Sequence, residues 1–145
     1  MDTRASIRQK PSRAGAVRLL ENAGLPASDL TDAHMEDFFY SGTAAAPQAI
    51  VGVELCGSDA LLRSLVVEPD LRAQGMGSGL VTHAEAYARE RGAQVIYLLT
   101  TTAEAFFRSR GYMVTPRDIA PPAVRATAEF SGLCPASSAF LSKRL

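Results

Sequence analysis

Leu62-Arg63-Ser64-Leu65-Val66-Val67-Glu68-Pro69-Asp70-Leu71-Arg72-Ala73-Gln74-Gly75-Met76-Gly77-Ser78-Gly79-Leu80 runs from an apolar stretch, through a turn with three alternate glycines, into a helical pattern. Glycine removes the Cβ where backbone must approach a ligand. The first turn of a helix offers N–H groups that lack intrahelical acceptors, at the positive end of its dipole. The stretch therefore reads as strand, anion cradle and helix, with phosphate or pyrophosphate as the natural guest. A glycine-rich turn without a ligand is the other reading of the same residues.

Spacing excludes two phosphate loops. The dinucleotide fingerprint needs a third glycine where Leu80 stands, and an acid about 20 positions on; the later stretch reads Val95-Ile96-Tyr97-Leu98-Leu99. The P-loop needs Gly-Lys followed by Ser or Thr, and no lysine lies near these glycines. What remains is Arg/Gln-x-x-Gly-x-Gly, filled by Arg72, Gly75 and Gly77 after Val67-Glu68-Pro69.

That pattern resembles the coenzyme A pyrophosphate loop of the GNAT superfamily of N-acetyltransferases. Leu61–Leu65, Tyr97–Thr102, Phe106-Phe107-x-x-x-Gly111-Tyr112 and Ala126–Ser137 extend the resemblance over almost the whole chain. These blocks are similar to the short N-acetyltransferases associated with bacterial arsenic-resistance operons. The resemblance implies an α+β fold: a single acetyltransferase-type domain over residues 1–145, with a mixed sheet whose central parallel strand pair is splayed and flanked by helices. It also implies acetyl-CoA as cosubstrate and a small amine as acceptor. The C-terminal block narrows the subfamily without fixing the acceptor.

The length suits one domain with a substantial core. Fifteen basic side chains balance fifteen acidic ones, so no overall field favours nucleic acid or an anionic membrane, and any anion affinity is local. Two cysteines, Cys56 and Cys134, are too few for a disulfide framework, and no Cys/His spacing suggests a metal. Met1–Arg8 lacks an apolar signal-peptide core, and no apolar run reaches the roughly 18 residues of a membrane span. The expectation is a reduced, cytoplasmic protein, neither secreted nor anchored, with a homodimer as an open possibility.

Periodicity places a short strand over Arg4–Arg8 and a helix over Ser12–Asn22, with Ala16, Leu19, Leu20 and Ala23 on one face. A second short helix follows Thr31, with Met35, Phe38 and Phe39 turned inward. Ile50–Leu55 and Ala60–Val67 form a hairpin around Gly57-Ser58-Asp59. A helix over Gly77–Arg91 leads to a strand over Val95–Thr100, and the near-continuous apolar run of that strand reads as a parallel crossover. Thr101-x-x-Glu104 has the spacing of a capping box opening a helix that ends at Gly111. A strand over Tyr112–Thr115, a helix start at Pro121-Pro122 and a last strand over Ser138–Ser142 complete the order. By the resemblance, the early helices help wall the acceptor site; as sequence alone they serve equally as a packing layer.

The resemblance lays the pantetheine arm along the backbone of Leu65, Val66 and Val67. It aims the amides of Gln74, Gly75, Gly77 and Ser78 at the pyrophosphate, with Arg72 shaping the loop or adding charge. The implied reaction is attack of a neutral amine on the thioester, with a backbone N–H near Leu65 or Val66 stabilising the oxyanion and a base taking a proton. Glu54, inside an apolar strand, is the candidate base, and an exposed sheet-edge carboxylate is its alternative role. Asp59 reads as a turn residue. An ordered water dispenses with a side-chain base altogether.

Many relatives place a tyrosine four residues before the glycine of the last motif, where its hydroxyl meets the departing thiolate; here Phe107 stands there. Tyr97 and Tyr112 read as packing aromatics. Arg63, a cation in an apolar strand, requires an anionic partner: either a buried ion pair with Glu54 or Glu129, or a substrate clamp. Arg125 and Thr127 form a second candidate anion site, or else part of a surface helix. His34 and His83 read as solvated, and Cys134 as a small core residue. Three functions follow: acetylation of a small amino-acid-like amine bearing a second oxyanion, such as arsinothricin or phosphinothricin, in detoxification; acetylation of a peptide or protein amine; or non-catalytic acyl-CoA binding by a sensor, for which Phe107 is the best support.

Overall fold

The computed structural model describes residues 7–145, apart from the side chain of Ala73. Its strands are β1 (Arg8–Gln9), β2 (Phe38–Gly42), β3 (Pro47–Cys56), β4 (Asp59–Val67), β5 (Val95–Thr100), β6 (Met113–Val114) and β7 (Ala139–Arg144). They form one mixed sheet in the order β1-β2-β3-β4-β5-β7-β6. Four α-helices accompany it among the described residues: α1 (Arg13–Asn22), α2 (Met76–Glu90), α3 (Glu104–Arg108) and α4 (Pro122–Arg125). This is the α+β architecture expected. β4 and β5 pair in parallel through Asp59↔Val95, Ala60↔Ile96 and Leu61↔Tyr97, as the strand–helix–strand reading requires. Asp59 is thus a strand residue, and the turn is left to Gly57 and Ser58.

Contacts divide the chain into two compact units, residues up to Glu54 with Leu62–Tyr87, and Leu55–Leu61 with Ala88–Leu145. In the first unit Ser12 caps α1, its Oγ accepting from the Gly15 N–H at 3.0 Å. Ala16, Leu19 and Leu20 pack with Ala27, Leu30, Met35, Phe38, Ile50 and Val66 in one buried cluster. α1 is a packing layer, and Ala23, expected on its inner face, is an exposed C-cap. The expected strand over Arg4–Arg8 lies largely outside the described residues.

The second short helix is corrected. A 3-10 turn occupies His34–Asp37, and Phe38 and Phe39 open β2. Phe38, Phe39 and Tyr40 are all buried, which an amphipathic helix on a surface does not allow for three successive residues. Cross-strand pairing explains the choice: Phe38 sits opposite Gly52, where an added Cβ would lie 2.3 Å from the phenyl ring. The glycine makes room for the ring.

The second unit centres on Leu61, Tyr97, Ala120, Val124 and Phe140. The capping box does not form. Thr100 Oγ1, rather than Thr101, accepts from the Ala103 N–H at 2.9 Å, and Ala103 precedes a helix of only five residues. Gly111, at φ 94, ends that segment. No helix among the described residues is long and apolar enough to cross a membrane.

Candidate functional site

The glycine loop lies in the first unit. After β4, Pro69–Gln74 make a 3-10 turn, and Gly75 takes a left-handed conformation, φ 75 and ψ 13, immediately before α2. Gly79 N–H donates to the Gly75 carbonyl at 3.0 Å, which sets Gly75 as the cap. Met76, Gly77 and Ser78 therefore fill the first-turn positions whose amides have no intrahelical acceptor. Nothing lies within 4 Å of a Cβ built on Gly75. Glycine is required there by its backbone angle rather than by lack of room.

Gly77 and Ser78 thus stand where the sequence placed them, in the helical first turn, whereas Gln74 and Gly75 precede it and are exposed. Met76 joins Gly77 and Ser78 because α2 begins one residue before the expected Gly77. Arg72 Nε–H donates to the Val67 carbonyl at 3.0 Å, a bond that ties the loop to the end of β4. Val66 is buried, while Leu65 and Val67 are half-buried. Ser64, just before them, is buried and holds φ 62.

Arg63 is the electrostatic centre of this unit. Its side chain is 0% exposed, and its Nη1 donates to Asp29 Oδ2 at 2.6 Å and to Glu54 Oε2 at 2.8 Å. Nη2 donates to Asp29 Oδ1 at 2.9 Å and Nε to Ser64 Oγ at 3.0 Å. This is the buried ion pair, with Glu54 as foreseen and with Asp29 added from the segment between α1 and β2. The same geometry corrects the clamp reading of Arg63, since its donors point at protein groups. Glu54, the candidate base, is one of those partners. Burial by itself raises the Asp29 carboxyl, but the hydrogen bond and charge of Arg63 outweigh it and hold the group below its ordinary value.

Asp29, His34 and Glu54 bring possible metal-ligand atoms within 4.8 Å of one another. The guanidinium already occupies both carboxylates. His34 Nδ1 accepts from the Thr31 N–H at 3.0 Å, which leaves the ring proton on Nε2. The cluster is therefore built around an arginine, and no local pattern signals Asp29, which is 34 positions from Arg63. On the outer edge of α1, Arg18 and Asn22 border a cavity of about 220 Å³ together with Gln48 and Glu68. His83 is exposed, with its ring centroid 4.6 Å from that of Phe39.

The remaining candidates lie in the second unit. Phe107 is buried in α3, its ring edge-on to Phe106 at 5.1 Å and to Tyr112 at 5.4 Å. Tyr112 is buried beside it, and Tyr97 stacks on Phe140 at 5.5 Å; both are packing aromatics as read. Burial, followed by the charge of Asp59, raises the Tyr97 phenol above its ordinary value. Arg125 and Thr127, the second candidate anion site, both bond backbone carbonyls of their own segment. Arg125 donates through Nε to the Ala120 carbonyl at 2.9 Å and through Nη2 to the Asp118 carbonyl. Thr127 is buried, and its hydroxyl donates to the Val124 carbonyl at 2.7 Å. Both side chains secure the turns around α4, which continues into a π-helical turn over Glu129–Leu133.

A family model described as the acetyltransferase (GNAT) domain matches residues 38–114, which takes in the β4–loop–α2 unit and α3. The amino-acid acetyltransferase of Ectopseudomonas mendocina (strain ymp) is 40% identical over 57 residues, 39% of this chain and 12% of that protein. The amino-acid acetyltransferase of Ralstonia nicotianae is 39% identical over 57 residues, 39% of this chain and 13% of that protein. The match thus spans about an eighth of these relatives. N-acetylglutamate synthase from Neisseria gonorrhoeae, solved with coenzyme A and N-acetyl-glutamate, superposes with a TM-score of 0.78 at 23% identity, over 97% of this chain and 35% of that one. A GNAT-family acetyltransferase from Staphylococcus aureus Mu50 superposes with a TM-score of 0.71 at 14% identity, over 96% of this chain and 98% of that one. At such identities the likeness is one of fold, and together with the family match it establishes that the chain belongs to the acetyltransferase (GNAT) domain family.

Proposed function

We propose that the chain is an acetyl-CoA-dependent N-acetyltransferase acting on a small, amino-acid-like amine. The observation that carries this reading is the β4–Gly75–α2 connection: a left-handed glycine with nothing within 4 Å of its Cβ position, followed by a helix whose first amides lack intrahelical partners. Such a terminus suits a pyrophosphate. In this reading the amides of Met76, Gly77 and Ser78 hold the pyrophosphate. The backbone of Leu65–Val67 aligns the pantetheine arm, and an N–H at Leu65 or Val66 meets the oxygen on which charge develops. The Neisseria gonorrhoeae structure, with coenzyme A and N-acetyl-glutamate, and the amino-acid acetyltransferases among the relatives support the cosubstrate and an amino-acid-like acceptor.

Within that class, the resemblance of the Ala126–Ser137 block favours an acceptor with a second oxyanion, such as arsinothricin or phosphinothricin, and a detoxifying role. The base is left to a water. Glu54 takes it directly only if its carboxylate reaches the amine while Oε2 stays bound to Arg63. Phe107 favours one other reading, a module that binds acyl-CoA without turning it over. Release of coenzyme A measured across a panel of amino-acid-like amines, with calorimetric titration of acetyl-CoA, tests both. Turnover with an amino-acid-like amine supports the enzyme. Tight binding without release of coenzyme A from any amine replaces it with the binding module, and absence of binding removes both.

A further inference from the structure

Ser64 adopts φ 62 within β4 and is buried. A left-handed angle is unfavourable for any residue with a Cβ, and in a strand it turns the following peptide out of the regular pleat. Such a conformation persists where its surroundings over-determine it. Here a buried side chain reaches Ser64 directly. Arg63 Nε holds Ser64 Oγ at 3.0 Å, and the guanidinium is itself held by both oxygens of Asp29 and by Glu54 from β3.

We propose that Asp29, Arg63 and Glu54 form a clamp that keeps Ser64 left-handed and so sets the direction of the Leu65 and Val66 amides. Arg63 is then a positioning residue. The inference rests on the proposed acetyl transfer for its consequence, since those amides border the cosubstrate only in that reading. Its geometry is independent of it. The planar fork engages Asp29 through two parallel hydrogen bonds, which a lysine cannot reproduce. The i to i+1 bond to Ser64 passes that fixed orientation to the one residue of β4 with a positive φ.

The test pairs Arg63→Met, and separately Asp29→Asn, with Ser64→Gly in the same chain. Glycine takes a positive φ without the Cβ penalty, so it should replace the clamp's effect without replacing its charges. Expected for Arg63→Met is a fall in kcat on the order of 10-fold or more that exceeds any change in KM for acetyl-CoA, with most of kcat restored by Ser64→Gly. An unchanged kcat in folded Arg63→Met, or a loss that Ser64→Gly fails to restore, overturns the clamp. If Arg63→Met does not fold, the Asp29→Asn pair decides by the same criteria, because Asn keeps one acceptor for the guanidinium. If the wild type turns over no amine, the proposed activity fails, and amide resonances decide on the clamp alone. The Leu65 and Val66 signals should shift in the single variant and return with Ser64→Gly; signals that stay in place overturn it.

Discussion

Arg72 donates its Nε–H to the carbonyl of Val67 at 3.0 Å, tying the 3-10 turn back to the last residue of β4. The bond fixes how the strand hands over to α2. Arg72 is exposed, so its loss should cost stability little, while a looser loop pays an ordering cost whenever an anion binds. Arg72→Ala should raise the calorimetric Kd for acetyl-CoA by roughly 2- to 10-fold, matching the 0.5–1.5 kcal/mol of one ordinary hydrogen bond. An unaltered Kd would detach this loop from the cosubstrate.

Gly77→Glu tests the cradle more severely. Gly77 lies in the first turn of α2, where a carboxylate is favourable to the helix dipole, so the melting temperature should hold or rise slightly. The same charge competes for the amides a pyrophosphate needs. Acetyl-CoA affinity should fall by about 10-fold or more, and a folded variant that binds as the wild type does would show that α2 begins without a ligand.

Legibility in the sequence followed the range of the interactions. The β4–loop–α2 unit was readable because glycine spacing, strand composition and helix start all act over a few residues, and α2 was misplaced by one position only. β2 escapes local pattern because Phe38 pairs with Gly52 and Phe39 with Val51 across the sheet, contacts that no local periodicity reports. Thr101 lost the cap to Thr100, since strand β5 runs to that residue and delivers its hydroxyl to the Ala103 amide. Arg63, a cation in an apolar strand, requires a buried partner, and Glu54 on the neighbouring strand of the hairpin is one of the two candidates, with Glu129, that the sequence offers. Asp29 is not among them, for it arrives from an irregular segment whose path only the fold fixes.

Asp29 makes that pair a pH-dependent element. Its carboxyl, raised by burial but lowered further by Arg63, lies below its ordinary value of 3.8. The folded state thus binds fewer protons than the unfolded one. The stabilisation is fully present above the unfolded value and is lost as pH falls through the folded one. Glu54 and His34 face the same guanidinium cluster, so the informative quantity is the difference from Asp29→Asn. At neutral pH the variant should be less stable by about 1.5–3 kcal/mol, the range for a hydrogen bond to a charged group. The two melting temperatures should begin to approach each other as the pH falls below about 4 and should converge only below the lowered folded value of Asp29. A difference independent of pH would mean that shape, rather than charge, holds Asp29.

Phe107→Tyr separates catalyst from binding module. Phe107 is 4% exposed and its ring meets Phe106 and Tyr112 edge-on, so an added hydroxyl has a specific direction and almost no solvent. Without a partner it should cost about 1–3 kcal/mol of stability. With the departing thiolate as its partner, it supplies a proton where negative charge develops, and kcat should rise toward the lower end of the 10²–10⁴-fold range of general acids. Both effects can be read on one variant: thermal unfolding without ligand reports the burial penalty, and steady-state release of coenzyme A reports the gain. A stability loss with unchanged kcat places the ring away from the reacting sulfur and leaves thiolate departure to backbone dipoles and solvent. Tight acetyl-CoA binding by both proteins, with release of coenzyme A from neither across the amine panel, would make Phe107 the mark of a domain that binds its ligand without spending it.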